Sequence, residues 1–250
     1  MRRLILFDVD GTLLSTNGTA GAALGRALQE TFGTAGPIAG YRFAGKTDPR
    51  IVYELMGAAG LGRAEVASRI TEVFDRYCRH LEEALSPRNT RPLAGVCGLL
   101  DELAELEGVR LGLLTGNIER GAGIKLAAAG LAGRFALGAY GSDDEDRNRL
   151  VAVARQRARA LWGEEFPGDC AVVVGDAEAD VRCARAGGAR AVAVASGTTP
   201  REALAVLGPD ALLDSLAAPQ RRVALMGEGR ADAGGPHAGH AGVAGRRTGG

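Results

Sequence analysis

Two carboxylates, Asp8 and Asp10, stand two residues apart in "LFDVDGTL", where an apolar run gives out into Gly11 and Thr12. Other places in the chain carry groups of matching chemistry. "LGLLTGN" ends in Thr115, Gly116 and Asn117, and "AVVVGDAEAD" ends in Asp176 with Asp180 one helical turn on. Arg147, in "DEDRNRL", opens the helix before the strand that leads to Asp176. In a parallel α/β sheet, ligands bind at the carboxyl ends of the strands. If these strands are neighbours, one cleft holds several acids, a hydroxyl, free backbone N–H groups and a guanidinium. Clustered carboxylates repel unless a cation sits between them, and oxygen-only ligands favour a hard ion such as Mg²⁺. A hydroxyl, backbone N–H groups and an arginine suit a tetrahedral oxyanion. A metal site beside an oxyanion site means phosphate chemistry.

The elements that must position these groups follow from the apolar pattern. "RLILFDV" reads as a fully buried strand over residues 3 to 9. Between Ser15 and Pro87 the chain reads as all-helical: "AGAALGRALQETFG" stopped by Gly33, a helix after Pro49, and a long helix from Arg63 with apolar residues at helical spacing. From Arg91 on, helices alternate with the strands "VRLGLLT", "FALGAY", "CAVVVGD" and "RAVAVAS". That alternation predicts a parallel sheet with helices on both faces, an α/β Rossmann-like core. The first strand must join this sheet, so the helical module is an insertion. The expected organisation is a core of residues 1–14 and 88–226, a helical cap at 15–87 and a disordered tail at 227–250. The tail has almost no large apolar residues with which to offset the entropy of ordering. Its His237 and His240 are too few ligands for a metal site.

These motifs resemble the haloacid dehalogenase (HAD) superfamily, in its phosphatase branch of the phosphoglycolate phosphatase type. The resemblance covers about residues 3 to 216. "DVDGTL" matches the first motif, D-x-D-G-T; "LLTGN" the second; "GDAEAD" the fourth, G-D-x-x-x-D. The third motif is usually a lysine, and here Arg147 stands in its place, with Arg149 as the alternative. Arginine keeps the charge but not the shape of an ammonium. The resemblance implies Asp8 as the nucleophile that forms an aspartyl-phosphate and Asp10 as the general acid and base. It implies Mg²⁺ held by Asp8, Asp176 and the Asp10 backbone carbonyl, with Asp180 either a neighbour of that site or a further ligand. Thr115, the Gly116 N–H and Arg147 would hold the phosphoryl oxygens. Asn117 would orient Asp8 or the substrate, or simply make a turn. The substrate class implied is a small phosphomonoester, with 2-phosphoglycolate among the candidates.

"GYRFAGKTD" contains G-x-x-x-x-G-K-T, the spacing of a nucleotide P-loop. A working P-loop needs a buried strand directly before its glycines, and "TFGTAGPIA" is not one. In cap-bearing members of the superfamily, the loop between the first two cap helices lies over the active site. "FAGKTD" occupies that place, so Gly45 is expected to approach the site closely. Lys46 or Arg42 would meet a second anionic group of the substrate, and Asp48 would cap the helix at Pro49.

Within the superfamily, a phosphonate hydrolase and a phosphomutase are the rival activities. The phosphonate hydrolase wants a Schiff-base lysine near Asp48; the phosphomutase resembles G-V-S-R in the cap loop. A receiver-type signalling domain also phosphorylates an aspartate, but its acids sit side by side after the first strand. The 30 basic and 30 acidic residues balance, which argues against nucleic acid as a partner. Only Lys46 and Lys125 are lysines; arginine carries the rest of the positive charge. No apolar stretch approaches membrane-spanning length, and acids end the N-terminal run too early for a signal peptide. Four scattered cysteines fit reduced thiols, and the expected location is cytoplasmic.

Overall fold

The computed structural model describes residues 2–227. From residue 228 on, the expected tail lies outside the described residues. Strand β1 (Arg3–Phe7) is buried along its whole length. The chain then makes β2 (Leu14–Ser15) and three helices, α1 (Thr19–Phe32), α2 (Asp48–Ala58) and α3 (Arg63–Ala84). It returns through β3 (Arg91–Pro92), which pairs antiparallel with β2. This short pair ties together the two strands of chain that enter and leave the helical insertion. The α/β run follows: α4 (Val96–Ala104), β4 (Val109–Thr115), α5 (Glu119–Ala128), β5 (Leu137–Tyr140) and α6 (Leu150–Trp162). It continues with β6 (Ala171–Gly175), α7 (Glu178–Ala186), β7 (Arg190–Val194), α8 (Arg201–Val206), β8 (Ala211–Leu213) and α9 (Arg221–Met226).

The six-stranded sheet has the order β5-β4-β1-β6-β7-β8, and every pairing is parallel. Side chains alternate between its faces, as the two-residue period of a strand requires. Ile5, Phe7, Val172 and Val174 pack on one side with Leu99, Leu100 and Leu225. Leu4, Leu6 and Val173 pack on the other with Leu150, Val151 and Val181. Both faces are covered, which is why the central strands read as unbroken apolar runs. This is the α/β, Rossmann-like architecture expected from the alternation of elements. The pattern did not announce β2, β3, β8 or α9; the three strands are only two or three residues long, too short to show a period. Buried Arg3 fastens α9 by donating to the Met226 carbonyl.

The helical insertion has a core of its own, built from Leu24, Leu28, Val52, Leu55, Val73, Tyr77 and Leu81. Ile118, at the start of α5, packs into it. Gly33 ends α1 at a φ of 76°, the left-handed conformation glycine adopts without cost.

Candidate active site

Strand order decides the site. β1 lies between β4 and β6, so the carboxyl ends that carry Asp8, Thr115 and Asp176 are adjacent. Past β1 the chain turns back on itself, with Leu13 and Leu14 N–H donating to the Val9 carbonyl. Gly11 sits in this turn at a φ of +82°, and a Cβ there would stand 2.5 Å from Asp176 Oδ2. Any side chain at Gly11 would displace an acid of the site. The Thr12 hydroxyl donates to Asp176 Oδ1 at 3.0 Å and fixes that carboxylate. The motif alone gives Thr12 no role; its burial beside an acid is a tertiary fact.

Asp8, Asp176 and Asp180 are all buried and offer oxygens within 4.8 Å of one another. Burial pushes Asp176 and Asp180 above the ordinary carboxylate range, and repulsion from Asp8 adds to it. A dry cluster of acids with raised proton affinity and only oxygen donors fits a hard divalent cation. The Asp10 carboxylate is turned away from this cluster. It meets Asn117 and Lys125 instead.

Arg147 sits in a short 3₁₀ turn (Arg147–Arg149) whose start is capped by the Asp146 carboxylate. It is buried, with Nη2 3.0 Å from Asp8 Oδ1 and paired with Asp180 as well. Its Nε–H is buried and has no partner among the described residues. Arg149 faces outward, 71% exposed, and pairs with Asp144. Of the two arginines, Arg147 is the one that reaches Asp8 and Asp180. Thr115 is buried, and its Oγ1 accepts from the Asn117 backbone and side chain. Among the described residues, its own hydroxyl proton has no acceptor.

Asn117 also donates Nδ2–H to Asp10 Oδ2 at 2.8 Å, so it orients Asp10 and not Asp8. Lys125 Nζ donates to the same oxygen at 2.7 Å. Burial opposes its charge, but Asp10, helped by Tyr77 and Asp48, holds the ammonium well above the usual lysine range. Lys125 was not singled out in the sequence beyond being one of two lysines. An isolated lysine on a helix reads as a solvated charge, and only the packing of α3 over α5 buries it.

The loop before α2 lies against this site. A Cβ at Gly45 would stand 2.5 Å from the Ala179 Cβ at the start of α7, and the Gly45 carbonyl accepts from Arg147 Nη1 at 3.4 Å. A Cβ at Gly116 would collide with the Lys46 carbonyl, and Asp48 N–H donates to the Gly116 carbonyl at 2.7 Å. The Lys46 ammonium is committed elsewhere, to Glu54 at 2.5 Å and the Tyr41 hydroxyl at 3.0 Å. Arg42 is exposed. In this conformation the loop meets the cradle with backbone, not with the Lys46 cation. The element directly before the loop is helix α1 and not a strand, so the P-loop context is absent there.

Asp48 is the first helical residue of α2, with Thr47 in the capping position that had been expected of Asp48. Its carboxylate instead crosses to the core and accepts the Ile118 N–H at 2.8 Å. Burial raises Asp48 to about 6, against the opposing pull of Lys125 and the Ile118 N–H. The folded state therefore holds this proton to higher pH than the unfolded chain does. The associated stability is present in full below the unfolded value, near 4, and is lost as pH rises through about 6. We expect Asp48→Asn, which keeps the acceptor oxygen, to remove up to about 3 kcal/mol of that pH dependence. Urea unfolding of both proteins between those pH values measures it; parallel curves would refute it.

The α/β sheet, the helical insertion and the acids at adjacent strand ends define a class. A family model for haloacid dehalogenase-like hydrolases matches residues 2–188, and the chain belongs to that family. Among its relatives, the phosphoglycolate phosphatase of Rhodospirillum rubrum is 32% identical over 222 residues, covering 87% of this chain and 89% of its own. The phosphoglycolate phosphatase of Mesorhizobium japonicum is 30% identical over 205 residues, 80% of this chain and 86% of its own. A hydrolase from Pseudomonas syringae of known structure superposes with a TM-score of 0.67 at 22% identity, covering 87% of this chain and 95% of that one. That likeness bears on the fold. The protein is a hydrolase, and no helix among its described residues is long and apolar enough to cross a membrane.

Proposed function

We propose that this protein is a Mg²⁺-dependent phosphatase acting on a small phosphomonoester through an aspartyl-phosphate. The observation that carries the reading is Asp8 itself. It is a buried carboxylate held by Arg147 on one side and adjoining Asp176 and Asp180 on the other. Asp8, Asp176 and the Asp10 backbone carbonyl would hold the cation, with Asp180 bracing Arg147 or adding a ligand. The cation supplies charge neutralisation between the nucleophile and the phosphoryl group.

The chain's own residues do the rest. Thr115, the Gly116 N–H and Arg147 bind the phosphoryl oxygens and orient phosphorus toward Asp8. An Asp8 oxygen forms the new O–P bond while the ester P–O bond breaks. Asp10 gives its proton to the departing alkoxide, which leaves as the alcohol. Water then attacks phosphorus, Asp10 takes its proton, the Asp8–phosphate bond breaks and inorganic phosphate leaves. Asp10 Oδ2 is held by Asn117 and Lys125, so Oδ1 is the oxygen free to carry that proton. Asp8, Asp176 and Asp180 are buried beside the loop that carries Gly45, and substrate would enter by displacement of that loop.

The relatives' name makes 2-phosphoglycolate the first ester to test. A phosphonate hydrolase would need a free, neutral lysine amine near Asp48. Lys46 is paired with Glu54 and Lys125 with Asp10, which leaves the phosphomonoester reading the better supported. The four cysteines are free thiols, as a reducing compartment such as the cytoplasm would keep them. The test is phosphate release from a panel of small phosphomonoesters, with Mg²⁺ and with chelator. We expect many turnovers per chain with Mg²⁺ and a loss of at least about 10³-fold with chelator, the nucleophile then facing phosphate unscreened. One phosphate per chain would mean a receiver-like switch, and Mg²⁺-independent turnover would overturn the mechanism.

A further inference from the structure

Lys125 is a buried ion with a specific partner set. Its side chain is 4% exposed, whereas that of Asp10 is 42% exposed. Nζ reaches Asp10 Oδ2 at 2.7 Å and Asn117 Oδ1 at 2.5 Å, while Asn117 Nδ2 returns to the same Asp10 oxygen at 2.8 Å. The three side chains close a ring of hydrogen bonds. Asn117 also ties this ring to Thr115, whose hydroxyl belongs to the phosphate cradle. The ring therefore fixes the torsion of Asp10 relative to the phosphoryl site. Both donors fall on one carboxylate oxygen, and the other is left for the reaction.

The cap covers this ring. Tyr77 and Leu81 of α3 pack onto α5 where Gly121 leaves room: a Cβ at Gly121 would stand 3.6 Å from Tyr77 Cε1. Asp48 is fastened to the Ile118 N–H one turn before Gly121. Desolvation by these cap residues strengthens the Lys125–Asp10 attraction, because charges attract more strongly in a low-dielectric interior. Left in water, the same pair would be worth little.

We propose that Lys125 is a positioning residue, holding Asp10 in the orientation from which it passes its proton to the leaving group, and that the closed cap supports it. The inference rests on the role given to Asp10 above. A lysine serving only to fill the interior would affect all esters alike. A lysine that places the acid matters most where the leaving group needs a proton.

Two measurements test it. In Lys125→Met, kcat on an alkyl phosphomonoester is expected to fall by about 10²-fold or more, with KM little changed. The first release of p-nitrophenolate per chain from p-nitrophenyl phosphate, whose phenolate leaves without a proton and before Asp10 acts as base on the aspartyl-phosphate, is expected to slow by less than about tenfold. An equal loss on both esters, or no loss on the alkyl ester, overturns the proposal. The second measurement does not depend on turnover. With only two lysines, ¹⁵N-lysine labelling in a Lys46→Arg background leaves one ammonium signal, that of Lys125. It is expected to exchange with water more slowly than free lysine and to shift when Asp10→Asn is added. Free-lysine exchange, or indifference to Asp10→Asn, overturns the strut even if Lys125→Met does not fold. If the wild type hydrolyses no ester, the phosphatase reading fails, and the ammonium signal still decides whether Lys125 holds Asp10.

Discussion

Asp8→Asn is expected to leave a folded protein that releases phosphate at least about 10⁴-fold more slowly, the scale on which removal of a covalent nucleophile registers. Asparagine has nearly the same shape but no anionic oxygen to attack phosphorus. Asp8 is buried, so an isosteric replacement keeps the packing. Arg147 loses one carboxylate but keeps Asp180, and Asp176 and Asp180 lose a like charge that now pushes both upward. Stability in the absence of metal should therefore not suffer. Initial rates, a thermal melt and an acid-quenched search for covalent phosphate on the chain check the three parts. A variant within about tenfold of wild-type activity would sink the aspartyl-phosphate mechanism, since oriented neighbours alone do not replace a nucleophile.

Arg147→Leu is expected to cost both activity and stability. Removing one partner of a buried ion network leaves uncompensated charge, typically worth about 3–5 kcal/mol. Here the stranded groups are Asp8 and Asp180, both buried. Loss of a preorganised donor at the phosphoryl oxygens should lower kcat by about 10²–10³-fold. Arg149→Leu is the control. Its side chain is solvated and its partner Asp144 is a surface acid, so the change should fall within about 0.5 kcal/mol. Urea unfolding without metal and kcat with Mg²⁺ separate the two effects. If Arg149→Leu were the variant to lose activity, the assignment at the third motif would be reversed. Arg147→Lys is informative as well. It keeps a charge near Asp8 but loses the second arm that reaches the Gly45 carbonyl of the cap loop.

Much of the site was legible because its logic is local. An apolar run ended by Asp-x-Asp-Gly-Thr says where a buried strand stops and which groups it presents. Gly11 is demanded by a turn that brings backbone against Asp176, and the requirement shows as a glycine in the sequence. The same holds for the Thr115 and Asp176 strand ends. Their apolar runs are unbroken because both faces of the sheet are covered, a property of each strand taken separately.

What the sequence by itself determined, then, is an α/β chain with acids, a hydroxyl and a glycine turn at strand ends, and phosphate chemistry as their common use. The tertiary structure alone decided which groups meet. Strand order put β1 between β4 and β6, a long-range pairing that no local pattern encodes. Arg147 turned inward and Arg149 outward because, at about three residues per turn, positions two apart on a 3₁₀ turn face directions about 120° apart, and two arginines two apart look alike in one dimension. Lys46, the cation that the motif singled out, is held by its own cap through Glu54. Lys125, which no motif marked, became an interior charge because a helix from the insertion lies over it and Asp10 lies beside it. Burial and partnership are properties of surfaces brought together from distant parts of the chain, and for a charged side chain they decide whether it rests in water or takes part in the site.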